Sequence, residues 1–582
     1  MTWSRARRLT VRLPIFIIMI GVLVFVSNAT TVPWNNEPTG QTIAALSSDT
    51  AVTFDNPDGT ALHHVGDYRV EESSAWIEAK RASTGETQRI RVLIRQPRDT
   101  ASAGADGAGA GASVGDGTHP GVVFMHGAGH GGSPDDSFND VATAMASAGF
   151  VTAVIDKPIW STNDITRDYP ASADAYDQVI DYLRGLDAVD PAQVGVYATS
   201  ESTWITPYLL ERDPDVAFQI LLSPMVYSPR QALGFFVSQD FALVGANDGY
   251  QSIVRRVFSA DAALFGLTNL DLDAMRPQSY AIPTYVAYGS KDVITAQVEG
   301  VETILDMAHR AGNWDVTVRS YPVANHVLRM GHDEEVGTPF ADAYVEDLTD
   351  WAVGTVTGLH QTSERVAGDA LYQSIAVPTD LHPRRVLTVY GVILHCSTVV
   401  TLLAALAVSL VALARGVRCR LWRWRRRADG GGGDGDAGRR PTVLGFEYGF
   451  GGALLTLTLT TLGTTVLFAA GLGQVIMGVV QLAWGSAPDE HPGIMQWSWP
   501  VIQMVCTIVV WAWSGVLTRL LDVAQSRGII RFPPRKGSIR ALVTGKAPVL
   551  ASTRLGRVLF WLTAAAMLHI LLVFAFWGLF VY

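Results

Sequence analysis

Cysteine is scarce in this chain of 582 residues: there are three, Cys396, Cys419 and Cys506, and all lie in the last third. Residues 30–385 contain none, which excludes disulfide bonds and thiolate metal sites from this long segment. Charge is also scarce, because Asp, Glu, Lys and Arg make up only 17% of the residues while 48% are hydrophobic. This composition is too apolar for a purely soluble protein and too polar for a bundle made only of membrane helices.

Basic residues are few in the same segment, where 22 Lys and Arg stand against 47 Asp and Glu, whereas the rest of the chain has 22 against 7. The chain is longer than one hydrophobic core usually serves, so we expect an acidic body and a separate basic, apolar unit. Because the basic residues flank apolar segments, they predict a membrane protein and no nucleic-acid partner.

The N-terminal segment 1–29 has arginines before an apolar run and small residues at its end. This pattern fits a signal peptide and a retained signal-anchor helix equally well, and both export residue 30 onward. Four later segments are long enough to span a bilayer, which predicts a multi-pass membrane domain over residues 384–582. The predicted spans are residues 386–414, 450–484, 501–521 and 558–581. The second is so long that it must tilt, project from the bilayer or break near Gly471 and Gly473.

The loops between these spans differ in charge. Two of them, residues 415–427 and 519–557, are rich in Arg and Lys, whereas residues 485–500 contain neither. Basic loops stay in the cytoplasm, so the acidic body and the C-terminus are expected on the outside of a bacterial cell membrane.

The exported body, residues 30–383, alternates strand-like apolar runs with helical periodicity, which predicts an α/β fold with a mainly parallel sheet. We expect its core over residues 85–350 and a lid over about 224–282. The predicted strands are residues 89–94, 121–125, 151–155, 194–197, 218–222, 284–288 and 316–321.

The fourth of these strands leads into Ala198-Thr199-Ser200-Glu201-Ser202 and then a helix. A serine on a sharp strand-to-helix turn is the arrangement of a nucleophile elbow, which lifts the hydroxyl clear of the sheet. The positions two before and two after the serine are usually glycine. Here they are Ala198 and Ser202, which are small but not glycine.

Five motifs occur in a fixed order over about 200 residues, from Gly121 to His326. They are VVFMHGAGHGG, ADAYDQVIDYLRGLDAVDPAQVGVYATSEST, DPDVAFQILLSP, YGSKD and YPVANH. In order and spacing they resemble the α/β-hydrolase superfamily, specifically its dienelactone-hydrolase-like and serine-aminopeptidase-like esterase branch. The resemblance covers no part of the C-terminal membrane block.

The resemblance implies a role for each matching residue. Ser200 matches the nucleophile, Asp292 the triad acid and His326 the base, in the chain order that this fold uses. The backbone N–H groups of Ala128 and Glu201 match the oxyanion hole. A triad of this kind implies no metal and no organic cofactor.

Other interpretations stay open for these residues. Ser200 could be an ordinary helix N-cap, and Asp292 could cap a helix at Val293. Ser202 is a rival nucleophile, although its offset from the strand is wrong by two residues. The rival histidines are His130, which lies too early, and His332, which lies beyond the matching position.

Two further features admit two interpretations each. Phenylalanines in the predicted lid fit an apolar acyl pocket, but also a lid that packs its own small core; they are Phe235, Phe236, Phe241, Phe258 and Phe265. His395 and His569 lie near the middle of their spans, where ionisable residues are functional candidates. No Asp, Glu, Lys or Arg accompanies them, which argues against proton-coupled transport.

Taken together, the sequence predicts a membrane-anchored, exported serine hydrolase or acyltransferase. Its substrate would be an acyl ester, including an envelope lipid or a lipid-linked glycan. A catalytically degenerate hydrolase-like scaffold or sensor of the cell envelope is one alternative, because the elbow lacks its glycines. A serine peptidase is the other.

Overall fold

The computed structural model describes residues 2–34, 38–98, 118–128, 132–158, 160, 167–267, 269–272, 275–331, 338–428, 443–483, 493–526 and 550–582. The Gly- and Ala-rich segment of residues 101–117 and the glycine-rich segment of residues 430–438 lie outside these ranges. So do both rival histidines, His130 and His332.

The described residues form thirteen strands and twelve α-helices, numbered here in chain order. The strands are β1 (Pro38–Ile43), β2 (Phe54–Asp55), β3 (Arg69–Lys80), β4 (Thr87–Arg98), β5 (His119–Met125), β6 (Val151–Ile155), β7 (Val189–Thr199), β8 (Gln219–Leu222), β9 (Thr284–Gly289), β10 (Val316–Tyr321), β11 (His360–Gln361), β12 (Val366–Gly368) and β13 (Leu371–Ile375). The helices are α1 (Thr2–Ala29), α2 (Asn139–Ser147), α3 (Tyr169–Arg184), α4 (Thr206–Arg212), α5 (Pro229–Leu243), α6 (Asp248–Phe258), α7 (Gln297–Arg310), α8 (Tyr344–Val356), α9 (Arg385–Ala428), α10 (Phe450–Ala483), α11 (Ile494–Ser526) and α12 (Arg554–Phe576).

Nine strands form one sheet in the order β12-β10-β9-β8-β7-β5-β6-β4-β3. Only β4 runs against the others, because it pairs antiparallel with both β6 and β3. The predicted α/β fold with a mainly parallel sheet and a C-terminal helical bundle is confirmed. The sheet extends beyond residues 85–350 on both sides, since β3 precedes that range and β12 follows it.

Continuous apolar runs in the sequence form the central strands of the sheet. Strands β5, β6, β8, β9 and β10 are buried over most or all of their length, as expected for parallel strands covered on both faces. Helices α3, α4 and α7 cover one face, and α2 and α8 cover the other. The strand order changes direction at β5, which lies between β6 and β7. The crevice at the carboxyl ends of such strands is where open α/β sheets bind ligands.

Five helices, α1 and α9–α12, contain segments long and apolar enough to cross a membrane. Helix α10 continues through Gly471 and Gly473 without a break. The N-terminal helix packs into the bundle, where the Arg12 side chain donates to Trp511 O (2.5 Å) and to Ser514 Oγ (3.1 Å). At its other end Ser27 Oγ donates to Ala575 O (2.7 Å). In the structure this helix therefore forms part of the bundle.

The two histidines of the spans have structural partners. Trp577 Nε1 donates to His395 Nε2 (3.0 Å), so the other ring nitrogen carries the proton and donates to Gly391 O (2.7 Å). His569 Nδ1 lies 3.1 Å from Thr401 Oγ1. Both rings therefore fit a role in helix packing.

The hairpin of α5 and α6 rests on the bundle. Phe241, Val244 and Tyr250 belong to the same buried cluster as the membrane helices, and Tyr250 Oη lies 2.7 Å from Ser498 Oγ. The five phenylalanines do not share one environment. Phe236 lines the cleft described below, Phe235 packs on Ile375, Phe241 and Phe258 pack on the bundle, and Phe265 is exposed.

Candidate active site

Ser200 occupies a strained turn directly after β7. Its φ is +52°, in the left-handed region that residues other than glycine rarely adopt. A 3₁₀ helix, Ser200–Trp204, begins there and α4 follows from Thr206. Thr199, with extended backbone angles, is the N-cap residue of this turn. The left-handed φ of Ser200 is typical of the central residue of a sharp strand-to-helix turn, whereas an N-cap residue has extended angles like those of Thr199.

The two non-glycine positions of the elbow are accommodated by packing. Ala198 and Ser202 are both fully buried. The hydroxyl of Ser202 accepts from Thr199 N (2.8 Å) and lies within donating distance of Met125 O (2.9 Å). Ser202 thus ties the elbow to the end of β5, and its hydroxyl is committed to backbone partners.

The three predicted triad residues come together at the carboxyl ends of β7, β9 and β10. His326 Nε2 lies 2.8 Å from Ser200 Oγ. On the other side of the ring, His326 Nδ1 lies 3.1 Å from Asp292 Oδ1. A hydroxyl, an imidazole and a carboxylate are therefore in contact in the order that a catalytic triad requires.

Backbone contacts hold the acid loop against the histidine loop. Ser290 N donates to Tyr321 O (2.8 Å) and Lys291 N donates to Ala324 O (2.9 Å). Gly289 allows this approach, because a Cβ at that position would overlap the backbone oxygens of Ala324 and Asn325. Any larger residue at position 289 would push the two loops apart.

Asp292 is charged despite its burial. Burial raises the pKa of this carboxyl, but the opposing attraction of His326 and the hydrogen bonds from Thr295 and Ile294 N leave it below its usual range. Asp292 thus also caps the turn at residues 293–295, so both sequence interpretations of this residue describe real contacts.

The loop after β5 lies against the elbow. A Cβ on Gly127 would stand 3.2 Å from Thr199 O and 3.4 Å from Ser200 Cβ. Its neighbour His126 is buried and donates through Nε2 to Ile155 O (2.6 Å). Burial lowers the pKa of His126 to about 4, so this ring is neutral and supports the loop.

A buried charge cluster beside Ser200 was missed by the sequence reasoning. The carboxylate of Glu201 contacts Lys157 Nζ (3.2 Å), Arg167 Nε (3.1 Å) and Tyr169 Oη (3.2 Å). The position of Lys157 in the sequence could have indicated it. Lys157 comes two residues after a predicted strand, and ligands bind at the carboxyl ends of the strands in sheets of this kind.

These groups line one cleft of about 770 Å³. Ser200, His326, Ala128 and the charge cluster form part of its wall. Apolar side chains form much of the remainder, including Trp204, Met225, Leu233, Phe236, Leu270 and Ile294. The volume is typical of a pocket for a small organic ligand.

Asp240 of α5 is a buried carboxyl that is not among the residues lining the cleft. Its residue is 0% exposed, and among the described residues no hydrogen bond reaches either of its side-chain oxygens. Burial, with the nearby charge of Asp292 second, raises the pKa of Asp240 to about 8. This carboxyl is therefore protonated at neutral pH in the folded protein.

We expect Asp240→Asn to reduce the pH dependence of stability. Between the ordinary pKa near 4 and the raised value, the unfolded chain loses a proton that the folded chain keeps, so folding stability falls by about 1.4 kcal/mol per pH unit. The amide removes this loss. Thermal unfolding in detergent from pH 5 to pH 8 should show a widening advantage for Asp240→Asn, while equal slopes for the two proteins would contradict the assignment.

No family model matches the chain, and no curated protein matches it. Among solved structures, a candidate dipeptidyl aminopeptidase IV from Bacteroides ovatus matches with 15% identity, a TM-score of 0.32 and coverage of 51% of this chain, but only 37% of its own length. The 2,6-dihydroxy-pseudo-oxynicotine hydrolase matches with 16% identity and a TM-score of 0.32, and the match covers 51% of this chain and 70% of that protein. Dienelactone hydrolase from Anabaena variabilis matches with 14% identity and a TM-score of 0.28, and the match covers 50% of this chain and 99% of that protein.

Proposed function

We propose that this protein is a membrane-anchored serine hydrolase or acyltransferase that acts on an acyl ester through Ser200, His326 and Asp292. The observation that carries the proposal is the continuous Ser200–His326–Asp292 contact at a strained elbow that faces a cleft. It is supported by the retention of all three residue types despite the missing glycines, since a degenerate hydrolase would be under no constraint to keep them in contact.

The reaction follows from this geometry. Ser200 Oγ attacks the ester carbonyl while His326 Nε2 takes its proton, and Asp292 stabilises the resulting imidazolium. The N–H groups of Ala128 and Glu201 stabilise the oxyanion, each by about 3–4 kcal/mol. Collapse expels the alcohol, which receives the proton from His326. Water or a second alcohol then attacks the acyl-enzyme and restores Ser200.

Helix α5 supports a lipid as the source of the acyl group. Its N-terminal half contributes Pro229, Leu233 and Phe236 to the cleft, and its C-terminal half packs on the bundle through Phe241 and Val244. Along the helix Phe236 and Phe241 are five residues apart, a rise of about 7.5 Å. The apolar wall of the cleft thus stands next to the membrane domain.

The ends of the five membrane helices support an extracytoplasmic body. The exported domain contacts the last turn of α1 at Ser27, the first turn of α9 at Thr388, and the segment after α12 at Gly578. It also contacts the C-terminal part of α10 and the N-terminal part of α11. This alternation is that of five helices that cross a bilayer in turn, and together with the basic loops it supports a body and a C-terminus on the outer side.

The main alternatives make different predictions for substrates. A serine peptidase should hydrolyse aminoacyl amides faster than acyl esters, and a scaffold should turn over neither. We expect purified protein in detergent to hydrolyse p-nitrophenyl esters and to leave the matching aminoacyl p-nitroanilides nearly untouched. The reverse preference would favour the peptidase, and inactivity of a demonstrably folded protein would contradict an enzyme.

The contact of α6 with the bundle allows a test for lipid. A Cβ on Gly249 would overlap the ring of Trp499. Overpacking of this kind costs about 1–3 kcal/mol. Each 1.4 kcal/mol of this cost lowers the equilibrium constant for docking α6 on the bundle about tenfold. We expect Gly249→Ala to slow hydrolysis of a long-chain ester in vesicles about tenfold and to spare a soluble short-chain ester. The matched control is Gly185→Ala, since a Cβ there would make only ordinary 3.5 Å contacts. Equal rates on vesicles for both variants would contradict delivery from the membrane side.

A further inference from the structure

Lys157 connects the two strand ends that carry the proposed oxyanion donors. It follows β6, and its side chain is only 2% exposed. Its ammonium donates to Gly127 O (2.5 Å) and contacts Glu201 Oε2 (3.2 Å). One cation thus touches both the loop after β5 and the residue after Ser200.

The contact with Gly127 fixes a peptide plane. The carbonyl of Gly127 and the N–H of Ala128 belong to one peptide unit, in which the two groups point in opposite directions. An ammonium that holds the carbonyl therefore sets the direction of the N–H. It also polarises the peptide, which makes that N–H a stronger donor. Within the described residues no hydrogen bond occupies the Ala128 N–H.

The contact with Glu201 fixes the second donor. Glu201 is the residue whose backbone N–H follows the nucleophile, in the first turn of a helix where N–H groups lack intrahelical acceptors. Its carboxylate is held by Lys157, Arg167 and Tyr169 together. Lys157 also reaches the Gly127–Ala128 peptide.

We infer that Lys157 is a positioning residue for the oxyanion hole, which it orients through Gly127 O and Glu201. The inference rests on the proposed serine mechanism and assigns Lys157 no contact with the substrate. It predicts an effect on the tetrahedral state and not on the bound ester, because the oxyanion forms only after attack.

The test uses Lys157→Met, which keeps most of the side-chain volume and removes the charge, and Lys157→Arg, which keeps a cation. Lys80→Met, on the exposed edge strand β3, is the control for the replacement of a lysine by methionine. Titration of active sites with a fluorophosphonate gives the fraction of folded, reactive protein. Turnover of a soluble short-chain ester then gives kcat and KM per active site, and a trifluoromethyl ketone, which forms a tetrahedral adduct on serine, gives Ki.

We expect Lys157→Met to lose about 10²-fold in kcat with little change in KM, which is the lower end of the loss for one missing oxyanion donor. The Ki of the ketone should rise by the same factor, and Lys157→Arg should recover part of both. Unchanged kcat per active site, or a loss that appears in KM alone, would overturn the inference while leaving the serine mechanism in place. A wild-type protein that never reacts with the fluorophosphonate would instead contradict the proposed function itself.

If Lys157→Met fails to fold, Lys157→Gln provides the same comparison with a neutral donor. Its kcat and ketone Ki should shift together, as for methionine but by a smaller factor. A shift in one without the other contradicts the assignment.

Discussion

Ser200→Ala is expected to lower ester hydrolysis by about 10⁶-fold, the loss seen when a triad nucleophile is removed. The fold should survive, because Ser200 Oγ has His326 as its side-chain partner and the substitution leaves the elbow backbone in place. Purified protein and a chromogenic short-chain ester are sufficient for the measurement. Any ester hydrolysis that remains in the variant counts as enzymatic only if heat denaturation abolishes it.

Ser202→Ala is the matched control, since it removes a hydroxyl two residues away. We expect this variant to remain active and to lose stability, because Thr199 N loses its acceptor and Met125 O loses a donor. Each buried group left without a partner costs about 1–3 kcal/mol. If Ser202→Ala were inactive while Ser200→Ala kept its rate, the nucleophile would be Ser202 and the account of the elbow would be wrong.

Asp292→Asn is expected to lower kcat by about 10⁴-fold, as when the triad acid is replaced by its amide. The wild-type carboxylate is charged at neutral pH, because His326 and nearby donors outweigh the effect of burial on its pKa. It can therefore hold Nδ1–H of His326 and leave Nε2 free to accept the serine proton. The amide carries no charge and can present an N–H to Nδ1, which favours the wrong tautomer.

The control for this change is Asp315→Asn, which removes a carboxylate from a partly exposed pair with Arg365 and lies away from the cleft. Its kcat should match that of the wild type. A kcat for Asp292→Asn within tenfold of the wild type would mean that His326 is oriented by another group, and Asp292 would then be a turn cap alone.

Much of the fold was predictable because its signals are local. The buried strands appear as short apolar runs, and the loops that carry Ser200, Asp292 and His326 have short motifs at strand ends. Strand β3 was missed for the opposite reason. It is the edge strand of the sheet and most of its side chains are exposed, so no apolar run marks it.

The remaining features depend on contacts between distant segments. Nothing in the spacing of Lys157 and Glu201 shows that the two side chains meet, since 44 residues separate them. Likewise, Tyr250 and Ser498 lie 248 residues apart, so the docking of the α5–α6 hairpin on the bundle could not be derived from either segment alone. The role of Ser202 was equally hidden, because only the fold shows that Met125 O lies within its reach.

The central claim is that Ser200 is a nucleophile in the folded, membrane-embedded protein, and covalent labelling tests it most directly. Native membranes containing the wild type, Ser200→Ala or Ser202→Ala would be treated with a fluorophosphonate, and the modified peptide identified by mass spectrometry. The account predicts one phosphonyl group per chain on Ser200, in the wild type and in Ser202→Ala, with none in Ser200→Ala. A folded wild-type protein that takes up no label, or takes it up at another serine, would contradict it.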